Sequence, residues 1–279
     1  MQIMNIGPRT LLLVGLICIA PACLAQDETS TGGEPSAEEL AKKLSNPIAS
    51  LISLPLQFNY DQNIGPEDDG AKFLLNVQPV IPVSINDKWN VISRTILPIA
   101  VQDDIFPGAG SQTGLGDTFQ SLFFSPKAPT SGGLIWGVGP ILTIPTATDD
   151  LLGRKKWAAG PTAVFLKMKN GFTFGFLGSH SWSFAGSRNS ADINSTFFQP
   201  FISYVTPTAW TYALNTETSY NWDTKEWGIP INLTASKLVK LGKKQMASVG
   251  GGIRYWAEST ETGPEEWALR FQFTLLFPK

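Results

Sequence analysis

The sequence predicts an all-β fold, a transmembrane antiparallel up-and-down β-barrel of about 12 strands with a short N-terminal helix. Three observations predict it: strand-like alternation of apolar and polar residues, repetition of that pattern without helical segments between, and an N-terminal export signal. A soluble sandwich packs such an apolar face against a second sheet, whereas many such strands in succession are typical of a barrel facing lipid. The alternation is clearest in the closing strand, whose apolar face consists of Trp267, Leu269, Phe271, Phe273, Leu275 and Phe277.

The export signal is predicted over residues 1–25. Arg9 precedes an apolar run of about ten residues, shorter than the ~20 that a membrane helix needs, and this length is typical of a signal-peptide core. Cys23–Ala25 provides a small-residue cleavage site, so the mature chain is expected to begin at Gln26. Lipoprotein processing at Cys23 and an uncleaved N-terminal anchor are the alternatives.

Composition excludes several classes of function. The formal net charge of −2 gives no basis for nucleic-acid binding. The two cysteines, Cys18 and Cys23, both lie in the predicted signal, so the mature chain would carry neither a disulfide nor a cysteine metal site. We expect no metal and no cofactor.

Residues 26–48 are predicted to form a periplasmic linker and a short helix. The polar stretch 26–35 is typical of a flexible linker, and Ser36 with Glu39 forms a capping box for a helix through Ser45 that Pro47 ends. Three interpretations are open for this segment: it docks against the barrel mouth, it enters the lumen as a plug, or it is disordered.

Residues 49–279 are predicted to form the barrel, with both termini in the periplasm. Short connections alternate with mostly longer ones, the arrangement of periplasmic turns and outside loops in outer-membrane barrels, and Asn170-Gly171 is a strong hairpin turn. The predicted strands are 50–60, 72–85, 89–101, 117–125, 134–146, 157–169, 172–184, 195–205, 210–222, 228–239, 247–258 and 267–277.

Two sets of residues qualify this prediction. Aromatic residues near the strand ends, including Trp182, Trp256 and Trp267, are expected at the membrane interfaces. Prolines inside the proposed strands oppose a closed ladder, because proline removes a backbone donor, so bulges or boundary errors are expected at several of them. These prolines are Pro55, Pro79, Pro82, Pro98, Pro140, Pro145, Pro161, Pro200 and Pro230.

Strand alternation also predicts which polar side chains enter the lumen. Three arginines among few acids would make a positive constriction selective for anions or polar groups. The alternative is that Glu217 pairs with the arginines in a structural network that fills a narrow barrel. Apolar residues, among them Ile92, Ile96, Pro98, Ile135 and Ile141, join them. The polar lumen candidates are Asn59, Asn76, Gln78, Asn90, Arg94, Gln199, Asn215, Glu217, Asn232, Arg254, Arg270 and Gln272.

The remaining motifs are weaker. His180 is the single histidine, but alternation places it outward and Ser181 inward, so these neighbours cannot form a nucleophile–base pair and no catalytic residue is predicted. Asp61 and the pairs 68–69, 103–104 and 149–150 put carboxylates in the outside loops, where they are solvated or bind divalent cations.

Six parts of the chain carry a further signal: the stretches 76–82, 89–98, 114–117 with the following strand, 137–140, 199–201 and the closing strand. These stretches resemble a family of Gram-negative outer-membrane transporters named for the meta-pathway of phenol degradation. The resemblance covers most of the mature chain and implies a barrel, an outer-membrane location and uptake of hydrophobic or aromatic compounds. It implies no catalytic residues.

The predicted function is therefore a channel that passes a small solute, hydrophobic or aromatic in character, by passive diffusion. A structural or adhesive barrel with a filled lumen is the alternative, and a membrane-embedded lipid hydrolase is a third interpretation. The expected partners are outer-membrane lipid, lipopolysaccharide, the barrel-assembly machinery and the solute.

Overall fold

The structure, a computed structural model, describes residues 35–242 and 245–277. The predicted signal peptide and nearly all of the predicted linker lie outside the described residues. The elements are α1 (Ala37–Leu44), β1 (Ile52–Ile64), β2 (Gly70–Val77), β3 (Val80–Ser84), β4 (Trp89–Asp103), β5 (Ser111–Leu115), β6 (Thr118–Pro126), β7 (Leu134–Ile144), β8 (Lys156–Lys169), β9 (Phe172–Gly186), β10 (Asn194–Val205), β11 (Trp210–Thr216), β12 (Thr218–Asn221), β13 (Glu226–Leu241), β14 (Gln245–Glu258) and β15 (Glu266–Phe277).

The fifteen segments form a closed antiparallel barrel of 12 strands. Three of these strands are interrupted, so that β2 with β3, β5 with β6, and β11 with β12 each occupy one position in the barrel. Each remaining segment is a complete strand that pairs with its neighbours in chain order. The barrel closes where β1 pairs with β15, from Ile52 opposite Phe277 to Tyr60 opposite Leu269. The predicted fold class is confirmed.

Most of the in-strand prolines lie where the ladder is interrupted or shifted. Pro79 falls in the gap between β2 and β3, Pro145 lies beyond the end of β7, and the β13–β14 register shifts at Pro230. Pro140 and Pro161 lie opposite each other. A closed barrel has no free edge, and proline has no backbone N–H to donate to the ladder. The strand pairing is therefore interrupted or shifted locally at these residues. The prediction of bulges or boundary errors at several prolines is confirmed.

The two ends of the barrel differ in their connections. We call the end with residues 85–88, 127–133, 170–171, 206–209 and 242 the turn end, and the opposite end the loop end. The loop-end connections are 65–69, 104–110, 145–155, 187–193, 222–225 and 259–265. The sequence prediction was wrong at the long loop 102–116, because β4 extends to Asp103 and β5 begins at Ser111.

Alternation along the strands gives the barrel an apolar outer face and a polar inner face. Trp267 and Phe271 are exposed for more than half of their area, whereas Arg270 between them is 1% exposed. Phe273 and Phe277 share the outer face with them. Trp256 was expected at an interface, but it lies on the inner face, where its Nε1 donates to Asp61 at 2.8 Å.

The helix α1 and residues 45–49 pack inside the turn end, and we call them the plug. The predicted capping box is present, with Glu39 N donating to Ser36 Oγ and Ser36 N donating to Glu39. Leu40 packs against inward residues at the turn end, and Ile48 packs inside the barrel against Ile92. The segment therefore enters the lumen, as in the second of the three interpretations. No helix in the described part of the chain is long and apolar enough to cross a membrane.

Candidate functional site: the barrel lumen

An ion-pair network of Asp61, Glu217, Arg254 and Arg270 lies on the inner wall and connects β1, β14 and β15 with the gap between β11 and β12. The Arg270 guanidinium donates to both Glu217 oxygens, at 2.9 and 2.7 Å, and its Nε donates to Asn59 Oδ1 at 2.8 Å. Arg254 lies 3.6 Å from Glu217 and 3.8 Å from Asp61. The two carboxylates and two guanidiniums are thus matched in charge, and a bidentate pair has a well-defined geometry.

Asp61 was expected among the solvated loop carboxylates, and that prediction was wrong. It is 4% exposed because β1 continues to Ile64 and carries Asp61 on the same inward face as Asn59. Its Oδ1 accepts from Trp256, whose ring stacks on the Arg254 guanidinium with a centroid distance of 4.5 Å. Extending the predicted first strand, 50–60, by one residue would have identified it.

Arg94 belongs to a different set of contacts. Its Nη2 donates to Gln78 Oε1 at 3.1 Å, and Gln78 Nε2 donates to Gln57 Oε1 at 3.3 Å. Gln78 occupies the gap between β2 and β3, where its backbone N–H bonds to Pro55. The interruption at Pro79 thus positions the amide that holds Arg94.

The other sequence-predicted lumen residues are distributed over the inner wall. Asn232 Nδ2 donates to Asn215 Oδ1 at 2.9 Å, and Asn90 Nδ2 donates to Ser50 Oγ at 2.8 Å beside the plug. Gln199 and Gln272 line the cavity described below. The half-buried Asn76 lies opposite Gln57 in the β1–β2 register. All twelve candidates lie at inward positions, although the structure joins only some of them into networks.

The inner wall opposite the ion-pair network is apolar. Ile48 of the plug packs with buried Ile92, Phe123 and Val164. Further toward the loop end, Phe119 pairs with Ile96 and with Thr143, which places its ring on the inner face, where it is 37% exposed. The sequence prediction included Ile92, Ile96, Pro98, Ile135 and Ile141 on this side but missed Phe119 and Phe123. The lumen is therefore amphipathic across its width.

A cavity of 290 Å³, which we call the chamber, lies inside the barrel between the plug and the ion-pair network. Residues 41–49 of the plug line it on the turn side. Its wall includes Gln57, Gln78, Arg94, Gln199 and Gln272. The volume is near the lower end of the roughly 300–1,000 Å³ range of ligand pockets, which is room for one small molecule.

The loop 145–155 folds against the inner wall at the loop end and is held by the stretch 114–117. The Asp117 carboxylate accepts from the backbone N–H groups of Ala147 at 3.2 Å and Arg154 at 2.7 Å. Leu115 and Thr148 exchange two hydrogen bonds, and a side chain at Gly114 would collide with Thr148. The loop lies beside Gln102, whose amide donates to the Leu151 carbonyl at 3.3 Å. These contacts, which we call the loop latch, narrow the loop end.

His180 lies on the outer wall, as alternation predicted. Its Nδ1 is 2.7 Å from Thr196 Oγ1, and that oxygen also accepts from Trp222 Nε1 at 2.9 Å. The sequence did not identify Thr196, because the partner lies on the neighbouring strand β10. Within the described residues no third group completes a nucleophile–base–acid arrangement around the ring, and its Nε2 is buried without a hydrogen bond.

The loop carboxylates outside the barrel have separate partners. Asp150 pairs with Lys155 at 2.5 Å. Asp192 accepts from Lys156 Nζ at 2.8 Å and from Ser183 at 3.0 Å, and these hydrogen bonds lower the pKa of its carboxyl. Within residues 35–242 and 245–277, no three His, Cys, Asp or Glu side chains are grouped closely enough to hold a metal ion.

These features define a class of structure: a closed twelve-strand barrel with an apolar outer face and a plugged, amphipathic lumen. Among solved structures, an outer membrane channel from Pseudomonas putida F1 is similar, with a TM-score of 0.64 and 15% identity over 82% of this chain and 96% of that chain. At this identity the likeness shows the fold alone. No family model matches the chain, and no curated protein sequence matches it.

More distant barrels overlap less well with this chain. The outer membrane phospholipase of Salmonella typhi gives a TM-score of 0.45 at 10% identity, covering 86% of this chain and 98% of that chain. A FadL homologue from Pseudomonas aeruginosa gives 0.37 at 9% identity, covering 81% and 90%. Likenesses this weak do not discriminate between a channel and a lipid enzyme.

Proposed function

We propose that the chain is an outer-membrane channel that passes one small amphipathic solute at a time by passive diffusion. The chamber carries the proposal, since it lies inside a closed barrel and is lined by the plug on its turn side. The turn end then faces the periplasm and the loop end faces outward, where lipopolysaccharide surrounds the aromatic residues.

The apolar outer wall supports a membrane location. Phe174, Phe176, Phe198 and Trp222 are each at least 40% exposed on that face. Contiguous exposed apolar surface of this kind is rare on a soluble monomer and is stable in hydrocarbon. Insertion by the barrel-assembly machinery is part of the same proposal.

The two sides of the lumen support the class of solute. Ile96, Phe119 and the apolar cluster around Ile92 offer an apolar wall, while the amides around Arg94 offer hydrogen bonds. A solute with an aromatic or aliphatic body and one polar group satisfies both. This agrees with the hydrophobic or aromatic compounds that the sequence resemblance implies.

Conductance in planar lipid bilayers tests the proposal. We expect discrete channels of small conductance from the purified full chain, and a larger conductance after deletion of residues 36–47. The matched control is Glu38→Ala, which removes only the exposed Glu38–Lys42 pair of α1 and should leave the conductance unchanged. Absence of conductance in both the full chain and the deletion variant, with the barrel folded, would contradict the proposal.

That negative outcome would favour the second candidate, a structural or adhesive barrel with a filled lumen. The observation behind this alternative is the ion-pair network on the inner wall, in which Arg270 is only 1% exposed. The two candidates therefore make opposite predictions for the deletion of the plug.

A further inference from the structure

We propose that the chamber is a binding site for a small amphipathic monocarboxylate and that Arg94 takes the carboxylate. This inference rests on the proposed channel function and names the class of solute that the cavity selects. It depends on three properties of the chamber: the sign of its charges, the state of Arg94, and the polarity of the opposite wall.

The charges that line the chamber have one sign. Among the described residues, the only charged side chains in its lining are Lys43 from the plug and Arg94 from β4. No aspartate or glutamate of the described chain lines it. Inside a barrel the surrounding protein screens charge less than bulk water does, so a cavity lined by two cations attracts an anion.

The Arg94 guanidinium has N–H groups that remain available to donate hydrogen bonds to such an anion. Glu217 pairs with Arg254 and Arg270, and within the described residues no carboxylate oxygen lies within 4.0 Å of the Arg94 guanidinium. Arg94 Nη2 donates a hydrogen bond to Gln78. A guanidinium has five N–H donors in a planar fork that matches a carboxylate.

The amide chain from Gln57 through Gln78 orients this fork. Gln78 is 7% exposed and its backbone is fixed at the gap between β2 and β3. Gln78 Oε1 accepts from Arg94 and Gln78 Nε2 donates to Gln57, so the direct partner of the guanidinium is a neutral group, and Glu217 attracts it only from beyond ion-pair distance. An acidic residue at position 78 would instead neutralise the arginine.

The opposite wall excludes a purely polar anion as the preferred ligand. Leu44, Leu177, Phe201 and Leu238 line the same cavity as Arg94. A free phosphate would leave these side chains in contact with water, whereas the apolar body of a small carboxylate covers them. The chamber volume of 290 Å³ limits that body to about the size of one aromatic ring.

Calorimetric titration of benzoate into the purified full chain in detergent tests the site. We expect one benzoate per chain and at least about tenfold weaker binding of benzamide, which has nearly the same shape but no charge. Arg94→Gln should weaken benzoate binding about 10- to 100-fold, the range for a charged hydrogen-bonded contact. Arg188→Gln, in the exposed loop 187–193, is the charge-matched control and should bind as the wild type does.

A second variant keeps the arginine. Gln78→Glu places a carboxylate beside Arg94, and we expect it to weaken benzoate binding to a similar extent while the barrel stays folded. Equal binding of benzoate and benzamide, or wild-type affinity in both Arg94→Gln and Gln78→Glu, would refute the site. Inorganic phosphate binding as tightly as benzoate would refute its amphipathic character.

The failure of the site and the failure of the channel are distinguishable. If the protein conducts but does not bind benzoate, the channel function is retained and the carboxylate site is refuted. If benzoate binds in a way that depends on Arg94 but the protein does not conduct, the carboxylate site is retained and passive passage is refuted.

Discussion

Removal of the Glu217 carboxylate should destabilise the barrel more than any other single loss of a charge in the lumen. In Glu217→Ala, Arg270 loses two hydrogen bonds of 2.9 and 2.7 Å, and Arg254 loses its neighbour at 3.6 Å. Arg270 is 1% exposed, so its charge stays buried with Asn59 as the remaining partner in the network. Breaking a buried pair in this way costs about 3–5 kcal/mol.

The lower part of that range is expected here. The Glu217 side chain is 19% exposed, so water that reaches its position in the variant can hydrate the arginine in part. We therefore expect a loss of about 3 kcal/mol in the free energy of unfolding. Urea unfolding in detergent or lipid vesicles, followed by tryptophan fluorescence, measures it. The control Glu38→Ala breaks the exposed i,i+4 pair of α1 and should cost about 0.3–0.5 kcal/mol.

A double-mutant cycle completes the test. Arg270→Met removes the buried charge, so the double variant Glu217→Ala with Arg270→Met should recover a large part of the loss, because neither charge is then left unpaired. If Glu217→Ala costs no more than Glu38→Ala, and Arg270→Met brings no recovery, the network is not a structural pair and the reasoning fails.

The remaining predictions concern the loop latch, the plug and the outer loops. Asp117→Asn should weaken the latch by about 1–2 kcal/mol, because the amide nitrogen that replaces one carboxylate oxygen cannot accept a hydrogen bond, so the bond from either Ala147 or Arg154 is lost; faster hydrogen exchange at one of these two backbone amides would report it. Gly114→Ala should displace the loop 145–155 by collision with Thr148 and increase protease cleavage there, whereas Gly132→Ala, in a turn with open space, should not; equal cleavage of the two variants would be evidence against the latch. Ile48→Ala leaves a cavity in the apolar cluster and should cost about 2–4 kcal/mol, with more frequent channel opening in bilayers; an unchanged stability would mean that Ile48 does not anchor the plug. The hydrogen bonds to Asp192 lower the pKa of its carboxyl, so they stabilise the loop 187–193 above the ordinary carboxyl pKa and are lost as the pH falls through the lowered value; Lys156→Met should raise that pKa, as measured by NMR titration.

Much of the barrel was predictable because its physical basis is local. Period-two alternation depends only on the backbone geometry of a strand, so the inward positions of Asn59, Arg94 and Arg270 follow from spacing. Turn residues such as Asn170 and Gly171, both with positive φ, also carry a local signal. Those signals located all twelve strands.

Strand ends and interruptions were less predictable, because they depend on pairing with distant segments. Asp61 was assigned to a loop, yet β1 continues because it pairs with β2 as far as Ile64. β5 was missed for the same reason, since Ser111 to Leu115 is held by β4 and has no strong alternation of its own. Trp256 was assigned to the membrane interface, although its hydrogen-bond partner Asp61 lies on a different strand, β1.

The sequence by itself determined the closed all-β architecture, the apolar outer face and the inward set of polar side chains, because each of these depends on the period of the strand. Only the tertiary structure decided how the inward residues are partnered. Glu217 lies close enough to Arg254 and Arg270 to pair with both, whereas Arg94 donates its side-chain hydrogen bond to the amide of Gln78. Distances between side chains on different strands depend on barrel closure and on the plug, which no local pattern encodes, and those distances separate a structural arginine from one that is available to a ligand.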